Sequence, residues 1–321
     1  MKTENQAKTV LITGASGFIG YQAVHYFAER GFRVRAVMRS QRDFYVPGIQ
    51  EVIVPDLSAE KQLQDALIGV DTVVHCAAHN PRGKSQDSEA RAVFHKVNVK
   101  GTELLANAAV KSRVKRFVLL SSTKVHGERT PTGCNISEES LPNPQDFYSQ
   151  SKLDAENVLS AVTESSETET VILRPPPVYG PHTRGNLGSL FRWVRLGIPL
   201  PLGAIEDNKR SFIGVDNLLD CIATCISHPA AARQTFLVSD NECVSTVTLI
   251  RKMGTALNRP ARLIRIQRGI LSAVGHFAGQ TETVERLFSS MQVDSSKVRS
   301  LLGWDPPLTL DEGLRRMAAD Q

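Results

Sequence analysis

Three features of the sequence predict an α/β fold: a doubly wound parallel sheet followed by a smaller, discontinuous C-terminal lobe. Short apolar runs alternate with helical patterns over residues 1–174. A glycine-rich turn, Gly14-Ala15-Ser16-Gly17-Phe18-Ile19-Gly20, joins the first run to the first helical pattern. Prolines at 175, 176, 177 and 181 then break the alternation. Strands of a parallel sheet are covered on both faces by their crossover helices, so they read as unbroken apolar runs.

The elements follow in order. Residues 9–13 (TVLIT) suit a strand buried on both faces. Residues 18–30 place Ile19, Ala23 and Phe27 at helical spacing, and Gly31 stands where a helix would stop. Further strands are expected at 33–38, 52–55 and 71–76, with a short helix ending at Gly69 between the last two. A helix at 98–111, a strand at 117–120, a helix at 148–162 and a strand at 171–173 continue the alternation. The polar stretch 163–170 (TESSETET) reads as a solvated loop. Beyond Arg174 a helix is expected at 187–196, and returning strands at 211–215 and 235–238. The length suits about two domains. These are residues 1–174, rejoined by 206–240, and a lobe within 175–321.

Composition excludes several classes. With 41% hydrophobic and 22% charged residues the chain is neither collagen, coiled coil nor generally disordered. The net charge of +5 suits a small anionic ligand as well as a nucleic acid, so it does not choose between them. Glu4, Asn5 and Gln6 interrupt any apolar N-terminal run, which argues against a secretory signal and for a cytoplasmic protein. The best membrane candidate, residues 269–279, is too short to span a bilayer and contains His276, so it reads as a core or interfacial helix. Five cysteines (76, 134, 221, 225 and 243) form no CxxC pair. Cys221 and Cys225 lie at helical spacing but lack companions for a metal set, so reduced, buried thiols and no metal are expected.

The glycine turn carries the first chemistry. Its GxxGxxG spacing, between a strand and a helix, lets backbone amides approach a pyrophosphate at the positive end of the helix dipole. That makes the sheet Rossmann-type and the first domain a dinucleotide-binding one. An NAD site normally carries an acid roughly 20 residues on, to bond the ribose 2′-hydroxyl. No acid occurs between Glu29 and Asp43, and the second strand ends in Arg39 instead. A guanidinium matches a 2′-phosphate, so NADP(H) is expected over NAD(H).

Tyr148 and Lys152 stand four apart at the start of a helix and share one face. A tyrosine that trades protons with a carbonyl or alcohol needs a lowered pKa, which a neighbouring ammonium supplies. Ser122, at the end of the strand Leu119-Leu120, could bring a hydroxyl beside it. Ser122, Tyr148 and Lys152 are the candidate catalytic residues.

Taken together these residues resemble the extended short-chain dehydrogenase/reductases, the NAD(P)-dependent sugar epimerase/dehydratase group. The likeness runs through TGASGFIG (13–20), Asp56-Leu57, DTVVHCAA (71–78), NVKGT (98–102), SSTKVHG (121–127), YSQSK (148–152), RPPPVYGP (174–181), RSFIGVDNL (210–218) and DSSKVRSLLGWDPP (294–307). The resemblance implies that Gly14, Ser16, Gly17, Phe18, Ile19, Gly20 and Arg39 hold the cofactor's phosphates. By the same likeness Asp56 and Leu57 would meet the adenine end, while His75, Cys76, Ala77, Ala78, Asn98 and Lys152 line the rest. Ser122, Thr123 and Tyr148 would face the substrate, and Asn186 and Arg210 would hold the diphosphate of a nucleotide sugar. A guanidinium suits that group.

Departures narrow the choice. Dehydratases of this group carry an acidic pair after the catalytic hydroxyl, where this chain has Thr123 and Lys124, so water elimination is not expected. Pro177 replaces an asparagine common in epimerases, and His126 replaces the usual tyrosine. The nearest likeness is the UDP-glucose 4-epimerase-like subgroup with its UDP-4-keto-6-deoxy-N-acetylhexosamine 4-reductases. The expected activity is an NADPH-dependent 4-keto reductase serving surface-polysaccharide synthesis. The alternative is a UDP-hexose or UDP-N-acetylhexosamine 4-epimerase. More remote is a catalytically silent dinucleotide sensor or RNA-binding relative. A UDP-sugar substrate, no nucleic acid, no integral membrane segment and a homodimer are the expected partners and assembly.

Overall fold

The computed structural model describes residues 7–40, 48–57, 59–80, 88–131, 133–277 and 281–319. In chain order come β1 (Thr9–Thr13), α1 (Phe18–Glu29), β2 (Arg33–Met38), β3 (Ile49–Ile53), α2 (Glu60–Leu67) and β4 (Thr72–His75). Then follow α3 (Ser88–Phe94), a π-helical turn (His95–Lys100), α4 (Gly101–Lys111), β5 (Arg116–Leu120), α5 (Phe147–Thr163) and β6 (Glu169–Arg174). The second half holds β7 (Val178–Tyr179), α6 (Gly185–Leu196), β8 (Arg210–Ser211), β9 (Ile213–Gly214), α7 (Val215–Ser227) and β10 (Gln234–Leu237). It ends with β11 (Cys243–Val244), α8 (Thr246–Ala256), α9 (Arg268–Phe277), α10 (Thr281–Phe288), α11 (Ser296–Leu302) and α12 (Leu310–Ala319).

Among the described residues seven strands form one sheet in the order β10-β6-β5-β4-β1-β2-β3. Every pairing in it is parallel. The strand order reverses between β1 and β4, whose ends are in register at Thr13 and His75. In an open α/β sheet the crevice beyond such a switch point is where ligands bind. Side chains alternate across the sheet. Val10, Ile12, Val74 and Val118 join one core with Phe27 of α1 and Leu218 and Ile222 of α7. Leu11, Val73, Phe117 and Leu119 join another with Leu63, Leu105 and Leu159 of α2, α4 and α5. This double cover explains the unbroken apolar runs and confirms the doubly wound fold.

A third core lies apart from the sheet. Tyr179, Phe191 and Phe212 meet Ile250 and Met253 of α8 and Leu314 and Met317 of α12. Its residues come from separated stretches of chain, because α7 and β10 return to the sheet before the lobe is completed.

Several expected boundaries move. The third strand starts at Ile49 rather than 52, because an edge strand with one neighbour tolerates Gln50 and Glu51. The helix expected from Asn98 starts at Ser88 and passes through the π turn, whose His95, Lys96 and Lys100 hide the apolar period. Residues 211–215 are two short strands, with Val215 opening α7. The supposed solvated loop buries Thr163, Thr168 and Thr170. Thr168 donates its hydroxyl to the Val114 carbonyl over 2.8 Å, which pins the loop to the sheet. The helix within 269–279 is not a core element, since Ile270, Val274 and Phe277 are exposed. Cys221 and Cys225 are buried, whereas Cys134 and Cys243 are exposed, and all five thiols are free. Asp43 lies outside the described residues. Among those described, no helix is long and apolar enough to cross a membrane.

Candidate active site

The chain leaves β1 and turns at Gly14, where φ is +69°. A Cβ at Gly14 would lie 2.7 Å from the Ala77 nitrogen, so the turn presses directly on the segment after β4. A Cβ at Gly20 would lie 2.1 Å from the Gly14 carbonyl oxygen, so α1 begins flush against the turn. Gly17 caps α1 without a side-chain bond, and the first helical turn holds no acid. The first turn of α1 thus places no carboxylate of its own against its leading amides, and the dipole favours an anion there. These residues fit a dinucleotide pyrophosphate. Ser16 is exposed on the turn, while Phe18 and Ile19 pack on the core.

The remaining cofactor candidates follow strands of the sheet or lie in the π turn. Arg39 follows β2 directly and is exposed. Asp56 pairs with Lys96 at 3.1 Å, and Leu57 packs on the second core. Ala77 and Ala78 follow β4. Asn98 sits in the π turn, a local widening often found at functional sites. It is buried, accepts the His79 amide at 2.6 Å, and donates to the His79 carbonyl and Ser151 Oγ at 3.2 and 2.8 Å. Asn98 thus ties the loop after β4 to α5.

Behind the turn, His75 does not line the cofactor as expected: it is 1% exposed, and both ring nitrogens are taken up by threonines. Thr102 donates to the Asn98 carbonyl over 2.6 Å, so at 3.0 Å it accepts from His75 Nε2–H. The bare Nδ1 then accepts the Thr13 hydroxyl at 2.6 Å, and Thr13 Oγ1 accepts the Ala77 amide at 3.3 Å. Burial, reinforced by the Lys152 ammonium, pushes His75 down to about 3.

Helix α5 presents the reactive candidates. Its start is fixed by a capping box in which Asp146 Oδ1 accepts the Ser149 amide at 2.6 Å and Ser149 Oγ accepts the Asp146 amide at 3.1 Å. Tyr148 is the second helical residue and Lys152 lies one turn on. Ser122, just beyond β5, faces the Tyr148 phenol closely enough to lower its pKa, while its Oγ accepts the Lys124 amide at 3.2 Å. The expected lowering of Tyr148 by Lys152 is not what the structure shows. Burial raises Tyr148 to about 12, the Asp146 carboxylate adds to this, and Ser122 opposes it. Lys152 is itself 2% exposed, and burial pushes it down to about 8 against the pull of Glu156 and Cys76. Its charge acts on His75 and these neighbours rather than on the phenol.

Arg210 lies in β8. Its Nη1 donates to the carbonyls of Arg286 and Ser289 at 2.9 and 3.1 Å. Burial and the Arg286 charge both lower Arg210, while Glu128 raises it. Arg286, on α10, pairs with Glu128 at 3.3 Å, and Lys124 pairs with Glu128 at 3.0 Å and Asp146 at 2.8 Å. This chain of charges connects the arginines to the cap of the Tyr148 helix. Burial raises Glu128, but Lys124 and Arg286 outweigh it and keep the carboxylate charged. Of the other substrate candidates, Asn186 is exposed in the first turn of α6, whereas Thr123 is buried.

Two groups escaped the sequence reading. Arg286 has no motif around it, and only folding brings α10 beside β8. The other is a buried network. Glu156 accepts from Ser121 Oγ and from Arg174, whose Nε lies at 3.0 Å. Arg174 Nη1 in turn donates to His126 Nε2 at 2.9 Å. His126 is thus an acceptor for a buried guanidinium, which accounts for the residue at that position. Glu156, one turn beyond Lys152, was the available signal.

Residues 10–239 match the NAD dependent epimerase/dehydratase family. The chain belongs to it. Extended short-chain dehydrogenase/reductase character agrees with this membership, as does a cofactor of the NAD(P) type. Among family relatives, a UDP-glucose 4-epimerase of Vibrio cholerae is 39% identical over 97% of this chain and 94% of its own. An N-acetyl-alpha-D-glucosaminyl-diphospho-ditrans,octacis-undecaprenol 4-epimerase of Escherichia coli O157:H7 is 28% identical, covering 96% and 93%. The solved structure of MoeE5 with UDP-glucose and NAD is 26% identical, covers 97% of both chains and superposes with a TM-score of 0.76.

Proposed function

We propose that the protein is a 4-epimerase of a UDP-hexose or UDP-N-acetylhexosamine. The observation that carries this reading is the Tyr148 phenol, with Ser122 beside it, on a helix tied through Lys124 and Glu128 to Arg286 and Arg210. The likeness to the Vibrio cholerae enzyme supports the same choice. Gly14, Ser16, Gly17, Phe18, Ile19 and Gly20 would hold the dinucleotide's phosphates. Asp56 and Leu57 would meet its adenine end, and Ala77, Ala78, Asn98 and Lys152 the rest. When bound, the dinucleotide supplies a hydride acceptor and donor at the sugar C4. Tyr148 would take the proton of the 4-hydroxyl as the phenolate, the form that the positive charge of an oxidised nicotinamide would favour against burial, and later return it, with Ser122 beside the reacting oxygen. Lys152 places a buried cation near the reaction. Arg210 and Arg286 hold the diphosphate with charge-assisted bonds, which leaves the hexose free to present either face.

This reverses the order of the two activities expected from the sequence. The 4-keto reductase remains the second reading because Arg39, at the end of β2, offers a guanidinium to a 2′-phosphate. One experiment separates them. The purified protein is given UDP-glucose and UDP-N-acetylglucosamine without added cofactor, and separately UDP-4-keto-6-deoxy-N-acetylglucosamine with NADPH. Galacto-configured product in the first arm supports the epimerase. NADPH oxidation in the second alone overturns it, and Arg39→Asp should then weaken NADPH binding.

A further inference from the structure

Residues 243–281 contain no Asp or Glu, yet carry Arg251, Lys252, Arg259, Arg262, Arg265 and Arg268. Four of these arginines, 259 to 268, recur at every third position. The segment runs beside residues 200–203, with Leu200 accepting the Ile264 amide at 2.9 Å and donating to the Arg262 carbonyl at 2.8 Å. It therefore passes the end of α6, where Trp193, Leu196 and Ile198 are exposed, and Arg259 donates to the Arg195 carbonyl at 2.7 Å. It then enters α9, whose Ile270, Val274 and Phe277 lie along one helical face. These three side chains are 55%, 60% and 91% exposed. A soluble surface ordinarily keeps such a row polar.

Pairing narrows the excess to the strap, since Lys252 is held by Glu242 and Asp311 at 3.0 and 2.8 Å. Arg265 meets Glu206 at 2.8 Å and Arg268 meets Glu285 at 2.9 Å, but Glu206 also faces Arg251 at 3.7 Å. Arg259 and Arg262 are both exposed. An apolar ridge bordered by arginines is the pattern of an interfacial helix, in which apolar side chains enter the acyl boundary and cations meet lipid phosphates. A second copy of this chain fits less well, because a two-fold contact would set the arginine-rich strap against itself. A nucleic acid would leave the ridge without a partner.

We propose that α9 and the strap from Arg259 to Arg268 dock the protein on an anionic lipid bilayer. The proposal is independent of the reaction catalysed. Its test is co-sedimentation of the full-length protein with phosphatidylcholine vesicles, with and without phosphatidylglycerol. Binding is expected only to the anionic vesicles and should weaken as salt rises. Ile270→Glu with Val274→Glu, Arg262→Glu with Arg265→Glu, and the fully exposed Phe277→Ser should each reduce it by about tenfold or more. Activity on a soluble nucleotide sugar should stay unchanged. Failure of the native protein to bind anionic vesicles overturns the proposal, as does equal binding by all three variants. A fall in oligomer size in the Ile270→Glu, Val274→Glu protein would also overturn it, by assigning the face to a second copy.

Discussion

Replacing His75 with asparagine should flatten the acid limb of the stability curve. The imidazole is buried between Thr13 and Thr102, with its single proton on Nε2. Its folded value is about 3 against 6.5 for an exposed histidine. Between those two values only the unfolded chain takes up the proton, so stability is lost as pH falls below 6.5. Each pH unit costs about 1.4 kcal/mol, so at two units below the unfolded value the loss from this one residue is about 3 kcal/mol. Urea titrations at pH 7.5 and 4.5 measure it. The native protein should lose about 3 kcal/mol more between these conditions than His75→Asn, whatever the absolute stability of the variant. Equal losses in the two proteins would refute the buried, neutral histidine and the hydrogen-bond chain built on it.

Three other outcomes follow from the same geometry. Gly20→Ala forces a methyl group to within 2.1 Å of the Gly14 carbonyl, so the protein should bind dinucleotide roughly tenfold or more weakly, as read by fluorescence titration. Glu156→Ala strands the buried Arg174 guanidinium and should cost about 3–5 kcal/mol in chemical denaturation at pH 7.5. Arg210→Ala should weaken UDP binding by calorimetry about 10- to 100-fold, the worth of a charge-assisted bond, with little change in the melting temperature.

The sheet was legible because every central strand is apolar on both faces and its crossover helices are short. Where that cover ends, legibility ends. β3 lies at an edge and keeps Gln50 and Glu51, so its start was misplaced. The π turn places charged residues where a regular helix would be apolar, and this concealed its first half. In the site, local motifs located the glycine turn, Ser122, Tyr148 and Lys152. Contacts made across the chain remained hidden. Arg286 reaches Glu128 across 158 positions, and His126 meets Arg174 across 48. The charge on Lys152 was legible but its electrostatic effect was not, because burial depends on packing that no four-residue spacing conveys.

The central claim is that Tyr148 moves the proton at C4 of a nucleotide sugar. It is tested most directly by Tyr148→Phe, purified with its dinucleotide and assayed for C4 inversion of UDP-glucose and UDP-N-acetylglucosamine beside the native protein. The variant should keep its fold and nucleotide while inversion falls about 10²- to 10⁴-fold. Inversion at the native rate would contradict the account.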